Sequence, residues 1–154
     1  MKIASIWVGK GKVHWADEAT HEYTRRLPRH LGFEEVALKP APFQGDVKSV
    51  RAAEAKRILS RLSDGDRLIA LDERGIDLTS EGFASLIDEA AKAGTKRLVF
   101  AIGGPYGHGP AVREKAWKTL RLSKMVLNHS LARVVLGEQL YRSSTILWGG
   151  QYHH

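Results

Sequence analysis

Five short apolar runs constrain this chain more than any other feature. They are KIASIWV (Lys2–Val8), FEEVALK (Phe33–Lys39), RLIALD (Arg67–Asp72), RLVFAI (Arg97–Ile102) and LRLSKMVL (Leu120–Leu127). All are of strand length, and most are rich in Val, Ile and Leu, as strands buried on both faces are. Helical spacing fills the gaps: Trp15–Leu31, Asp46–Leu62, Thr79–Gly94, a short stretch from Pro110 to Trp117, and Ser130–Ser144. Asp46 and Thr79 (or Ser80) stand where N-caps belong, and Gly94 where a C-cap does. Pro28 should end or kink the first helix. Strands alternating with helices predict an α/β fold, a mostly parallel sheet with helices on both faces. No linker or internal repeat divides residues 1–154, so a single domain is expected. In such sheets ligands sit outside the carboxyl ends of the strands. That directs attention to Asp72-Glu73, to the glycines after Ile102, and to Leu122–Leu127.

The fourth run opens into GGPYGHG (Gly103–Gly109). It is not a phosphate-binding loop of a known kind. The first strand is followed by GKGKVH, which lacks the third glycine of a dinucleotide fingerprint, and no segment reads G-x-x-x-x-G-K-[ST]. The loop has no Lys, Ser or Thr for a triphosphate and its Mg²⁺. Its main chain is nevertheless free of side chains and open to close approach. A neutral nucleoside suits it better than a phosphate chain; a tight turn serving only chain geometry is the competing reading.

The chain has no cysteine, which rules out disulfides, thiol nucleophiles and thiolate zinc sites, and fits a cytoplasmic protein. No His pair has metal-ligand spacing, so no metal is expected. No apolar stretch is long enough to span a membrane. The formal charge is +7, from 24 Lys and Arg against 17 Asp and Glu. A surplus of that size favours a polyanionic partner, most simply nucleic acid.

The C-terminal segment NHSLARVVLGEQLYRSS is unusually polar for a helix rich in Leu and Val. His129 and Arg133 are four apart, as are Glu138 and Arg142, so each pair can share a face. At about 100° per residue the two pairs point in roughly opposite directions, and one pocket would not easily use both. An ordinary i,i+4 ion pair remains the plain reading of Glu138–Arg142. The tail WGGQYHH ends in Tyr152 and His153, which offer stacking and proton transfer.

Taken together, EYTRRLP (Glu22–Pro28), LDERG (Leu71–Gly75), FAIGGPYG (Phe100–Gly107), LSKMVLNHSLARVVLGEQLYR (Leu122–Arg142) and the terminal YHH resemble the RlmH family of SPOUT methyltransferases over essentially the full length. The resemblance implies a SPOUT-type α/β knot, in which the C-terminal chain passes through a preceding loop as a trefoil, and a homodimer. It implies S-adenosyl-L-methionine as cofactor, held by Leu71, Gly103, Gly104 and the run Leu122, Ser123, Lys124, Met125, Val126 and Leu127. The implied reaction is methylation of N3 of a pseudouridine in large-subunit (23S) ribosomal RNA, on the assembled ribosome. His153, Tyr152, Arg142 and Glu138 are then the catalytic candidates, with His153 as base or proton relay. His129 and Arg133 are candidates for orienting RNA. Asn128 and Ser130 replace prolines common in relatives, and Gly150-Gln151 replaces His-Pro. A SPOUT enzyme acting on transfer RNA, or a non-enzymatic RNA-binding factor, are the competing readings.

Overall fold

The computed structural model describes all 154 residues. Five strands, β1 (Lys2–Val8), β2 (Phe33–Leu38), β3 (Asp66–Ile76), β4 (Arg97–Ile102) and β5 (Lys118–Leu120), form one sheet in the order β2-β1-β4-β3-β5. Every neighbouring pair is parallel. Five helices complete the chain: α1 (His14–Thr24), α2 (Val47–Leu59), α3 (Ser80–Lys92), α4 (Pro110–Lys115) and α5 (His129–Trp148).

The period-2 alternation of strand side chains builds two cores. Ile3 and Trp7 of β1 join Ile69, Phe100, Phe83, Ile87, Leu136 and Leu140 on the face covered by α3 and α5, with α1 packed on α5. Ala4, Ile6 and Val8 join Leu68, Val99, Ala55, Ile58 and Val112 under α2 and α4. Helices therefore cover both faces. The expected caps are in place: Asp46 accepts from the N–H groups of Lys48 and Ser49, and Thr79 accepts from that of Gly82. No helix is long and apolar enough to cross a membrane.

The third strand and the last helix run on to Ile76 and Trp148 instead of ending at Asp72 and Ser144, and two other expected elements need larger correction. The first helix stops at Thr24 rather than reaching Leu31. Tighter turns carry the chain on (Arg26 N–H to Tyr23 O, Leu27 N–H to Thr24 O), because Pro28 has no N–H to continue a helix. The fifth strand is only Lys118–Leu120, and Arg121–Asn128 is irregular. Within the apolar run that resembled a strand, Leu120, Leu122 and Leu127 reach the core, but Met125 and Val126 stay 78% and 79% exposed.

That irregular segment is held by an extension of its neighbour. β3 runs on to Ile76, whose carbonyl accepts from the N–H of Arg121, and Arg121 also pairs with Asp77 at 2.6 Å. Gly75 lies so close that a Cβ there would stand 2.3 Å from the carbonyl carbon of Leu120. Only glycine lets these two stretches of main chain pass each other at that point.

Candidate active site

A cavity of about 840 Å³ opens at the carboxyl ends of β3 and β4 and against the segment after β5. The pairing of β3 with β4 ends at Leu71 and Ile102, Asp72 and the glycine loop follow them, and Arg121–Asn128 forms the facing wall. His129 and Ala132 close it from the start of α5, and Val47 and Arg51 from the first turns of α2. Of the residues expected to hold a cofactor, Leu71, Gly103, Gly104, Leu122, Ser123, Met125, Val126 and Leu127 line this cavity. Lys124 belongs to the same wall by sequence but is exposed and does not line it.

The glycine loop is shaped by lack of room. A Cβ on Gly103 would stand 2.9 Å from the carbonyl carbon of Gly107, and one on Gly104 would stand 3.0 Å from Glu54 Oε2. Gly107 adopts φ +72°, and its N–H closes the turn onto the Gly104 carbonyl at 2.9 Å. Glu54 is buried beneath this loop; it accepts from the Ala41 N–H at 3.2 Å, and its Oε2 has no partner. Burial pushes its pKa up.

His108 is buried, and its Nε2–H donates to the Ala101 carbonyl at 3.0 Å. The Arg113 guanidinium donates to the His108 carbonyl at 2.8 Å and faces the buried Asp72 at 3.6 Å. His108 therefore anchors the loop from below and does not meet the cavity. Burial lowers its pKa below the ordinary 6.5. The unfolded chain then binds a proton more readily than the fold does. Stability from this group is full above about pH 6.5 and is lost as pH falls through the lower folded pKa. Substitution His108→Gln should flatten the dependence of Tm on pH below 6.5; an unchanged slope in thermal melts would remove His108 as its source.

His129 and Arg133 part company. His129 lines the cavity and stacks on Trp7, with ring centroids 5.8 Å apart and planes at 17°. Its burial, with Arg133 nearby, lowers its pKa and favours the neutral ring. Arg133 corrects an expectation: its side chain is 1% exposed, so it does not reach RNA. It donates to Asp17 at 2.6 Å and to Glu35 at 2.5 and 3.0 Å, and its Cζ lies 4.1 Å from the centre of the Trp7 ring. It joins α5 to α1 and β2.

The other candidates form a second cluster. Glu138 Oε1 accepts from Arg142 at 2.5 and 3.0 Å and from the Tyr152 hydroxyl at 3.1 Å. Arg142 also lies over the Tyr152 ring at 4.7 Å. Burial, then the Glu138 carboxylate, pushes the Tyr152 pKa up to about 12, so the phenol stays neutral. His153 lies between Glu81 Oε1, 2.8 Å from Nε2, and Arg142 Nη1, 3.4 Å from Nδ1. These partners select the tautomer with its proton on Nε2 and a lone pair on Nδ1. Glu81 was legible only as an acidic residue in a helical first turn. None of these residues lines the cavity. Glu138 lies nine residues beyond His129 on α5, about 14 Å along the axis.

Comparison with known proteins adds to this geometry. The family described as "Predicted SPOUT methyltransferase" matches residues 1–153. A putative RNA methyltransferase of Arabidopsis thaliana is 42% identical over all of this chain and 80% of its own length. The ribosomal RNA large subunit methyltransferase H of Trichlorobacter lovleyi is also 42% identical, over the full length of both. That of Porphyromonas gingivalis is 38% identical over all of this chain and 99% of its own. Among solved structures, a hypothetical protein has the same fold, with TM-score 0.57 at 12% identity, covering 95% of this chain and 81% of that one.

Proposed function

The chain belongs to the SPOUT methyltransferase family, and we propose that it methylates N3 of a pseudouridine in large-subunit (23S) ribosomal RNA, using S-adenosyl-L-methionine. The observation that carries this reading is the cavity at the strand carboxyl ends, walled by bare glycine main chain on one side and exposed apolar side chains on the other. Its volume lies within the range of about 300–1,000 Å³ usual for small-molecule sites. An adenosyl group fits the donor set: Gly103 and Gly104 present main-chain groups at close range, and Leu71, Leu122 and Leu127 offer apolar contact. When bound, S-adenosylmethionine supplies a methyl group on a positively charged sulfur.

The protein's own work is positioning and proton removal. The imide N3–H must lose its proton for the nitrogen to attack. His153 Nδ1 takes it, while Glu81 holds the opposite N–H and stabilises the charge that forms, as a carboxylate does for a catalytic imidazole. Tyr152, at a pKa of about 12, is too weak an acid to ionise near neutral pH and serves to position the base. Arg142 offsets charge on the base carbonyls. Glu138 ties Arg142 and Tyr152 together.

The separation of the two clusters within one chain supports a homodimer, in which the tail of one subunit completes the cavity of its partner. The close pass of Gly75 against Leu120 is compatible with the family's trefoil knot. The 154 residues act as one domain, in the cytoplasm, on the assembled ribosome. Incubation with labelled cofactor should place one methyl on ribosomal RNA in assembled ribosomes, with less on free subunits and naked RNA. No label in ribosomal RNA from any of the three would refute the reading.

A further inference from the structure

Tyr106 lines the cavity, Phe43 packs against it from outside, and neither ring belongs to a core. Phe43, in the loop after β2, is 56% exposed, and Tyr106, in the glycine loop, is 40% exposed. Their centroids are 5.9 Å apart with planes inclined at 31°. A lone exposed aromatic needs no explanation. Here two rings from distant segments are brought together at the mouth of a site, and both remain open to water. The arrangement is braced: Arg51 Nε donates to the Tyr106 carbonyl at 2.7 Å, and the Ala41 N–H is held by buried Glu54. The two segments that carry the pair are basic at their surface, and the acid beneath them, Glu54, is buried. Residues 39–51 carry Lys39, Lys48 and Arg51 against one acid, Asp46, and residues 103–109 carry no acid. Asp46 is already engaged by the N–H groups of Lys48 and Ser49.

We propose that Phe43 and Tyr106 form a stacking platform for a nucleobase next to the methylated nucleotide, with Lys39, Lys48 and Arg51 facing its phosphates. The inference rests on the RNA-methylating reading above and names a contact to that substrate outside the cofactor pocket. The physical need is specific. A base that enters the cavity must leave its stack, and its neighbour loses a face. An aromatic ring replaces that face regardless of base identity, because every base has a π-surface. At 5.9 Å and inclined, the rings leave no space for a base between them. The base therefore rests on the outer, exposed face of Phe43.

Binding and methylation are measured on wild type, Phe43→Ala and Phe43→Trp. Binding is followed as the Kd for labelled assembled ribosomes, the substrate on which the protein is proposed to act. Phe43→Ala should weaken ribosome binding and raise the KM for ribosomes about tenfold, the order that one base–aromatic stack supplies. Cofactor Kd by calorimetry and Tm should not move, and Phe43→Trp should restore ribosome affinity. Equal ribosome affinity in wild type and Phe43→Ala overturns the platform. So does a loss that appears in cofactor Kd instead, since the ring would then serve the cofactor. Binding is read without catalysis. A wild-type protein that transfers no methyl would sink the functional reading, while the difference in ribosome Kd between wild type and Phe43→Ala would still decide for or against the platform.

Discussion

Replacing His153 by Ala lowers kcat by about 10²-fold or more, within the roughly 10²–10⁴ that a positioned base supplies. Affinity for S-adenosylmethionine stays as in wild type, because in this reading the imidazole meets the target base and not the cofactor. The imidazole donates from Nε2 to the Glu81 carboxylate, and its Nδ1 lone pair meets only a long 3.4 Å contact from Arg142, which the substrate N–H displaces. Single-turnover methylation with saturating cofactor and RNA separates this step from binding. Turnover near wild type would remove His153 as the base. Mixing His153→Ala subunits with subunits crippled in the cavity tests whether the tail serves its partner: recovery of part of the activity is expected, since some mixed dimers then hold one intact site.

The second large effect falls on stability. Arg133→Ala should destabilise the fold by about 3 kcal/mol, the lower end for breaking a buried ion pair. The lower end applies because Asp17 and Glu35 remain 37% and 22% exposed and can regain water. For a chain of this size that is a fall in Tm of roughly 6–12 °C. The loss includes the guanidinium's stacking on Trp7. A shift in Tm below about 2 °C, together with weakened RNA binding, would restore Arg133 as an RNA contact.

The strand and helix order was legible because each apolar run has one period and clear punctuation. Asp46 and Thr79 sit where caps belong, Gly94 follows the C-cap Ala93 with φ +74°, and β4 has the bounds that RLVFAI suggested. LRLSKMVL misled for a physical reason. Apolar residues that wall an open cavity have the composition of a strand, and only pairing reveals that three residues, Lys118–Leu120, join the ladder. Arg133 misled in the opposite way. An arginine on a helix reads as solvated or substrate-facing, and its carboxylates come from α1 and β2, far away in the sequence.

The sequence by itself determined the α/β class, the bare glycine loop and the polar character of the last helix and tail. Those properties are local: periodicity, capping and composition act over a few residues. Only the tertiary structure decided that Leu71, Gly103, Leu122 and Leu127 share one cavity while His153, in the tail, meets Glu81 on α3. It also decided that Arg133 is buried. Those outcomes depend on which strands become neighbours in the sheet, and no local pattern carries the order β2-β1-β4-β3-β5.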